Sequence, residues 1–271
     1  MPGEPVPAER RAATPSMLKP LAAHFGREQR AYRSPHFVLL YDTEPWQARS
    51  HALLLERTHA QFREVFQQAG FAVQPLGEHL VCLLFVDHGD FARYGESADY
   101  MDLSWTGGYY SARTNRIALF QRGWPVQHVE PQGVEAAVAL ERDACEAGQP
   151  NLHLSSLEPA ASDGRQDGLA STVHEAAHQL AFNTGLQQRG VMYPLWVSEG
   201  LAISFETQQP SQPFGPGEIN EARRHDLRRA REAGQLIPLD RFVHVVRPPA
   251  DAEQVRVVYA QAWALFHHLF T

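Results

Sequence analysis

Lysine is almost missing from this chain: Lys19 stands alone against 23 arginines. That bias is typical of GC-rich bacterial coding sequences and carries no mechanism. A surplus of positive charge is missing as well, because 24 Lys and Arg face 31 Asp and Glu for a net charge of -7. Phosphate backbones are held by clustered cations, so a broad nucleic-acid face is excluded. The one arginine-dense stretch, "EARRHDLRRARE" at residues 221–232, alternates its charges at helical spacing and reads as a solvated helix. Cysteine is scarce: Cys82 lies in an apolar, strand-like run and Cys145 in a polar, helical one, settings that suggest neither a disulfide nor a structural zinc knuckle. No apolar run is long enough to span a bilayer, and the first thirty residues hold no signal-peptide core. The expectation is a soluble bacterial protein, either intracellular or exported with its signal peptide removed.

What is present is ample core material, 44% hydrophobic over 271 residues. Residues 1–34, rich in Pro, Ala and Arg, read as an extended arm with a short helix near 18–29. Residues 35–123 read as an α/β sheet subdomain: a buried strand at 36–42, a long amphipathic helix at 45–70 opened by Pro45 and closed by Gly70, and a second strand at 79–87. A short helix at 90–95 and a hairpin over 107–121, turning at 112–115, continue it. Residues 124–166 form an insertion or linker, with one helix candidate at 133–147 and a turn-rich remainder. Residues 167–271 form a mainly helical core, with helices expected at 168–183, 194–207, 217–233 and 251–270.

The chemistry concentrates in "GLASTVHEAAHQLAFNTGL", residues 168–186. His174 and His178 are four apart, so on a helix they stack on one face and can converge on one metal ion. Glu175, about 100° around the axis, can reach a water held by that ion. A helix is supported by apolar faces from Leu169, Val173, Ala176, Ala177, Leu180 and Ala181, by Asp167 as an N-cap and by Gly185 as a stop. With 14 histidines in the chain, the pattern arises somewhere by chance in roughly 5% of cases, so a second observation is needed. "YPLWVSEGLAISFE", residues 193–206, supplies it. Glu199 sits among Trp196, Val197, Leu201 and Ala202, and a carboxylate facing an apolar interior needs a partner or a cation. Two His and one Glu around zinc leave the fourth tetrahedral position for water, which separates a catalytic site from a structural one.

On these motifs the chain resembles gluzincin-type zinc metallopeptidases, in particular the bacterial peptidase-MA-like domains that combine "HEAAHQLAFNTG" with "PLWVSEGLA" and a later "YAQAWALFHHL". The likeness spans most of residues 36–270 and is strongest at those three blocks. It implies an α+β, zincin-like fold, in which an N-terminal mixed sheet and the active-site helix are followed by a mainly helical lobe. It also implies zinc held by His174, His178 and Glu199, with Glu175 as general base. An edge strand, "GGYYSA" or "NRIALF", would pair with an extended peptide substrate, while for the side chains of Tyr109 and Tyr110 ordinary sheet packing is the preferred reading over substrate contact. Related zincins place an oxyanion donor on a late helix, and Tyr259 is the choice here, with a plain core tyrosine as the bland alternative. His225, His244, His267 and His268 rank below it. Asn183 reads as a helix cap or a second-layer partner, and Trp196 and Trp263 as core. Three functional readings stand: a zinc peptidase acting on a peptide or protein, a catalytically inactive binding or scaffold module of the same fold, and a structural α/β domain whose motif is accidental. Oligomeric state has no signature in the sequence.

Overall fold

The structure, a computed structural model, describes residues 15–103, 106–120 and 163–271. Its centre is a run of three parallel strands, β2 (Phe37–Tyr41), β3 (Leu80–Phe85) and β5 (Arg116–Phe120). β1 (Arg30–Arg33) joins β2 and β4 (Gly108–Ser111) joins β5, both antiparallel, so the order is β1-β2-β3-β5-β4. The fold is mixed α/β, with the mixed sheet towards the N-terminus and a helical region at the C-terminus, as the sequence predicts.

Alternation explains why the central strands are apolar apart from Arg116 at the start of β5. Phe37, Leu39, Tyr41, Cys82, Leu84, Ile117 and Leu119 point to one face, which is covered by helices α2 (Pro45–Gln68) and α4 (Asp163–Asn183). Val38, Leu40, Leu83, Phe85 and Ala118 point to the other, under Leu18 and Leu21 of α1 (Pro15–Ala22), Phe25, and Phe91 and Tyr94 of α3 (His88–Tyr94). A strand covered on both faces must be apolar at every position, and all five residues of β2 are buried. The hairpin turns at 112–115 as expected, and Asn115 takes the left-handed conformation there at φ 55°.

The stretch expected to be an extended arm differs in its described part. Residues 15–22 are helical and residues 30–33 form an edge strand, so both belong to the sheet layer. The apolar side chains of Leu18, Leu21 and Phe25 explain this, because they cover a sheet face that would otherwise meet water. The linker expected over 124–166 and its helix at 133–147 lie outside the described residues, except that 163–166 already belong to α4. Asp167, expected as an N-cap, therefore lies inside that helix, which starts one turn earlier. Gly185 does stop it, with φ at 85°.

Beyond α4 come α5 (Leu195–Phe205), α6 (Glu221–Glu232), the short α7 (Leu239–Phe242), unexpected from sequence, and α8 (Ala252–Phe270). The caps are local: Asn220 accepts from the Arg223 N–H and Asp251 from the Gln254 N–H. α5 lies against both α4 and α8. Its approach to α8 depends on Gly200, where a Cβ would meet the Ala262 carbonyl oxygen at 2.6 Å and the Phe266 Cβ at 2.8 Å. Among the described residues, no helix is long and apolar enough to cross a membrane.

Candidate metal centre

Helix α4 is anchored by Leu169, Val173, Ala176, Ala177, Leu180 and Ala181, all buried against the sheet and α2. That anchoring fixes the rotation of the helix and turns His174 and His178 toward α5. Their Nε2 atoms lie 3.2 Å apart. Glu199 comes from the adjoining helix, where Leu201, Ala202 and Phe205 bury themselves in the same core and set its register. Its carboxylate straddles the pair, with Oε2 3.3 Å from His174 Nε2 and Oε1 3.4 Å from His178 Nε2. The three residues thus offer ligand atoms that all lie within 4.8 Å of one another. The side chains keep only 12%, 11% and 20% of their surface exposed.

Electrostatics follow from that burial. Burial alone would raise the Glu199 carboxyl, but the two imidazoles outweigh it and hold it far below the usual carboxylate range. Burial likewise opposes charge on His174, yet Glu199 and Glu206 overcome it and hold this imidazole well above its ordinary value. Glu175 is pushed up by desolvation, which outweighs the opposing pull of the His174 and His178 imidazoles and of a backbone hydrogen bond from Tyr110 on strand β4, while the Glu199 carboxylate adds to the rise. Tyr259, on α8, brings its hydroxyl within hydrogen-bonding reach of Glu199, and its pKa is raised by burial and by the Glu199 and Glu175 carboxylates. All five residues singled out from the sequence therefore meet in one place.

Two residues escaped the sequence reading. Glu206 caps the C-terminal end of α5 and bonds His174 Nδ1 at 3.0 Å. It is held in turn by Arg223, whose Nη2 donates to both carboxylate oxygens at 2.9 Å while Nε donates to Oε2 at 3.1 Å. Fixing Nδ1 as the donor to a carboxylate leaves the Nε2 lone pair facing Glu199 and His178. A signal for Glu206 existed, since it follows Glu199 by seven residues, two helical turns on the same face. Arg223 had none, being one arginine among five in its helix. With both imidazoles neutral, as a bound cation would require, the carboxylates of Glu175, Glu199 and Glu206 against Arg223 would leave a net of two negative charges, which one divalent cation would balance.

Other expectations resolve away from the centre. Asn183 donates to the Gln179 carbonyl at 2.6 Å and exchanges amide bonds with Asn115, pinning the helix end to the β-turn. Tyr110 stacks on Phe182 and Tyr109 donates to Asp99 at 2.7 Å, so both rings serve packing. Trp263 is buried, Trp196 is partly buried against the α8 cluster, and His267 is engaged with the Pro216 carbonyl at 2.6 Å. Of the two candidate edge strands β4 is an edge among the described residues, whereas β5 is paired on both sides. No curated protein and no solved structure matches this chain. Residues 168–271, which include every member of the cluster, match a family described as "Protein of unknown function (DUF1570)".

Proposed function

We propose that the chain is a zinc-dependent peptidase of zincin type, in which His174, His178 and Glu199 hold the ion and Glu175 moves the proton. The observation that carries this reading is the spacing of the donor atoms. Zinc bonds of about 2.0–2.1 Å in a tetrahedron put neighbouring ligand atoms about 3.4 Å apart. The separations among the two Nε2 atoms and the Glu199 oxygens are 3.2, 3.3 and 3.4 Å. When bound, the ion supplies Lewis acidity and a water of lowered pKa. Glu175, its carboxyl pKa raised by burial above the ordinary glutamate value, suits a group that takes a proton from the attacking water and returns it to the leaving amine. The Tyr259 hydroxyl, too basic to ionise, is a donor for the oxyanion that develops on the carbonyl. Glu206 and Arg223 keep the His174 ring in its ligating orientation. Strand β4, which among the described residues is open along one edge beside α4, supports an extended peptide as the substrate class.

The test is cleavage of a broad quenched-fluorescence peptide library by the full chain, with elemental analysis of the same sample. The reading expects stoichiometric zinc, loss of cleavage on chelation and recovery on zinc addition. A protein that binds zinc yet cleaves nothing would favour the inactive scaffold. Failure to retain zinc, with His174→Ala/His178→Ala behaving like the unmodified chain, would favour the structural domain.

A further inference from the structure

A second cluster of the same composition lies elsewhere on the molecule. His36 precedes β2, and Glu56 and His59 stand three apart on α2, on one face. Their ligand atoms also lie within 4.8 Å of one another. The carboxylate is pre-positioned: Glu56 Oε1 accepts from Ser34 Oγ at 2.6 Å and from the His36 N–H at 2.7 Å, while Oε2 lies 2.5 Å from His36 Nδ1. An ion pair between His36 and Glu56 accounts for those two residues alone. His59, 4% exposed, adds a second imidazole beside that pair, its ring set against His36 with centroids 3.8 Å apart. Two imidazoles in that position repel if both are charged, and become compatible as neutral ligands of a shared cation. The cluster opens into a pocket of 470 Å³ lined also by Arg63 and Glu64, whose opposite charges leave Glu56 as the compensating anion. We infer that His36, Glu56 and His59 form a second divalent-cation site, of the imidazole-preferring class that includes zinc, clamping the chain before β2 to helix α2. Two nitrogens and one oxygen disfavour calcium and magnesium, which take oxygen ligands. No phenol equivalent to Tyr259 lines this pocket, and the acid that does, Glu64, accepts from Gln68 at 3.2 Å beside Arg63, so the site serves stability rather than turnover.

Zinc uptake by the full chain decides this. The protein is stripped with chelator, dialysed against zinc chloride and assayed for bound metal, with circular dichroism to confirm folding. The unmodified chain is expected to hold two equivalents and Glu56→Gln one. His174→Ala/His178→Ala should keep one equivalent and melt at higher temperature with zinc than without, and adding Glu56→Gln to it should remove both effects. Should Glu56→Gln fail to fold, His59→Gln gives the same reading. Full zinc content in folded Glu56→Gln or His59→Gln overturns the inference. If instead the peptidase site is the one misassigned, the unmodified chain holds one equivalent, which Glu56→Gln loses and His174→Ala/His178→Ala keeps.

Discussion

The cluster between α4 and α5 and the cluster between α2 and the start of β2 offer a cation the same donors, two imidazoles and a carboxylate, and differ in their surroundings. At the first, Glu175 stands free to take a proton, Tyr259 approaches from α8, and Glu206 with Arg223 steadies a ligand from behind. At the second, the carboxylate is already engaged by Ser34 and a backbone N–H. The first gathers residues from four helices separated by up to 85 positions of sequence, from His174 to Tyr259. The second closes between one helix and the strand before it. Ligands alone therefore do not make a reactive site. On the proposed reading, what distinguishes them is a proton carrier and an oxyanion donor, which only a convergence of several elements supplies.

The sharpest way to break this contrast is Glu175→Gln, which removes the proton carrier and leaves every ligand in place. Peptide cleavage should fall about 10³-fold with zinc content unchanged; equal activity would reduce the first cluster to the status of the second. Next is the helix between the two clusters. His51, on α2, bonds Thr172 of α4 at 3.1 Å, and burial lowers its pKa to about 4. Because the folded value lies below the unfolded one, the unfolded chain binds more protons between these values, and stability rises with pH there. The contribution is full above about 6.5 and is lost as pH falls toward 4, at most about 3 kcal/mol. Urea unfolding at pH 7 and at pH 4.5 measures it, and His51→Gln should flatten this part of the profile.

Tyr259→Phe should lower kcat about 10²-fold with KM little changed, while zinc titration stays as before; a KM effect alone would make Tyr259 a core residue. Gly200→Ala tests the convergence itself. The added methyl forces α5 away from α8, costing about 2 kcal/mol in denaturant unfolding, and the displaced Glu199 should weaken zinc retention at the first cluster only. The smallest effect belongs to Glu206→Gln, which keeps the shape but loses the charge behind His174. Chelator competition should show metal held roughly tenfold more weakly.

The sequence and the structure part at identifiable places. The central strands, the 45–68 helix, the hairpin and the four principal C-terminal helices were legible from their periodicity, helped by starts and stops such as Pro45 and Gly185. Strand β1 reads as part of an arm, and α1 as a short helix displaced to 18–29, because the stretch is proline- and arginine-rich; the sheet face that Leu18, Leu21 and Phe25 cover explains their order. His174, Glu175, His178 and Glu199 were readable for a similar local reason: a 3.6-residue repeat makes spacing into geometry, and a lone carboxylate in an apolar run signals an unmet need. Glu206 was within reach of the same argument. Arg223 and the clustering of His36 with His59 were not, since nothing in their neighbourhoods distinguishes them.

From its residues alone this protein determined where its helices and strands run, and which helix can present two imidazoles on one face, because those properties depend on neighbours a few positions away. That Glu199 faces them, that Tyr259 and Arg223 arrive from later helices, and that a second pair of imidazoles meets at the edge of α2 was decided only in three dimensions. The physical reason is that core burial sets each helix's rotation and closest approach, down to the single methyl missing at Gly200, and polar groups distant in sequence become partners only once that packing is complete.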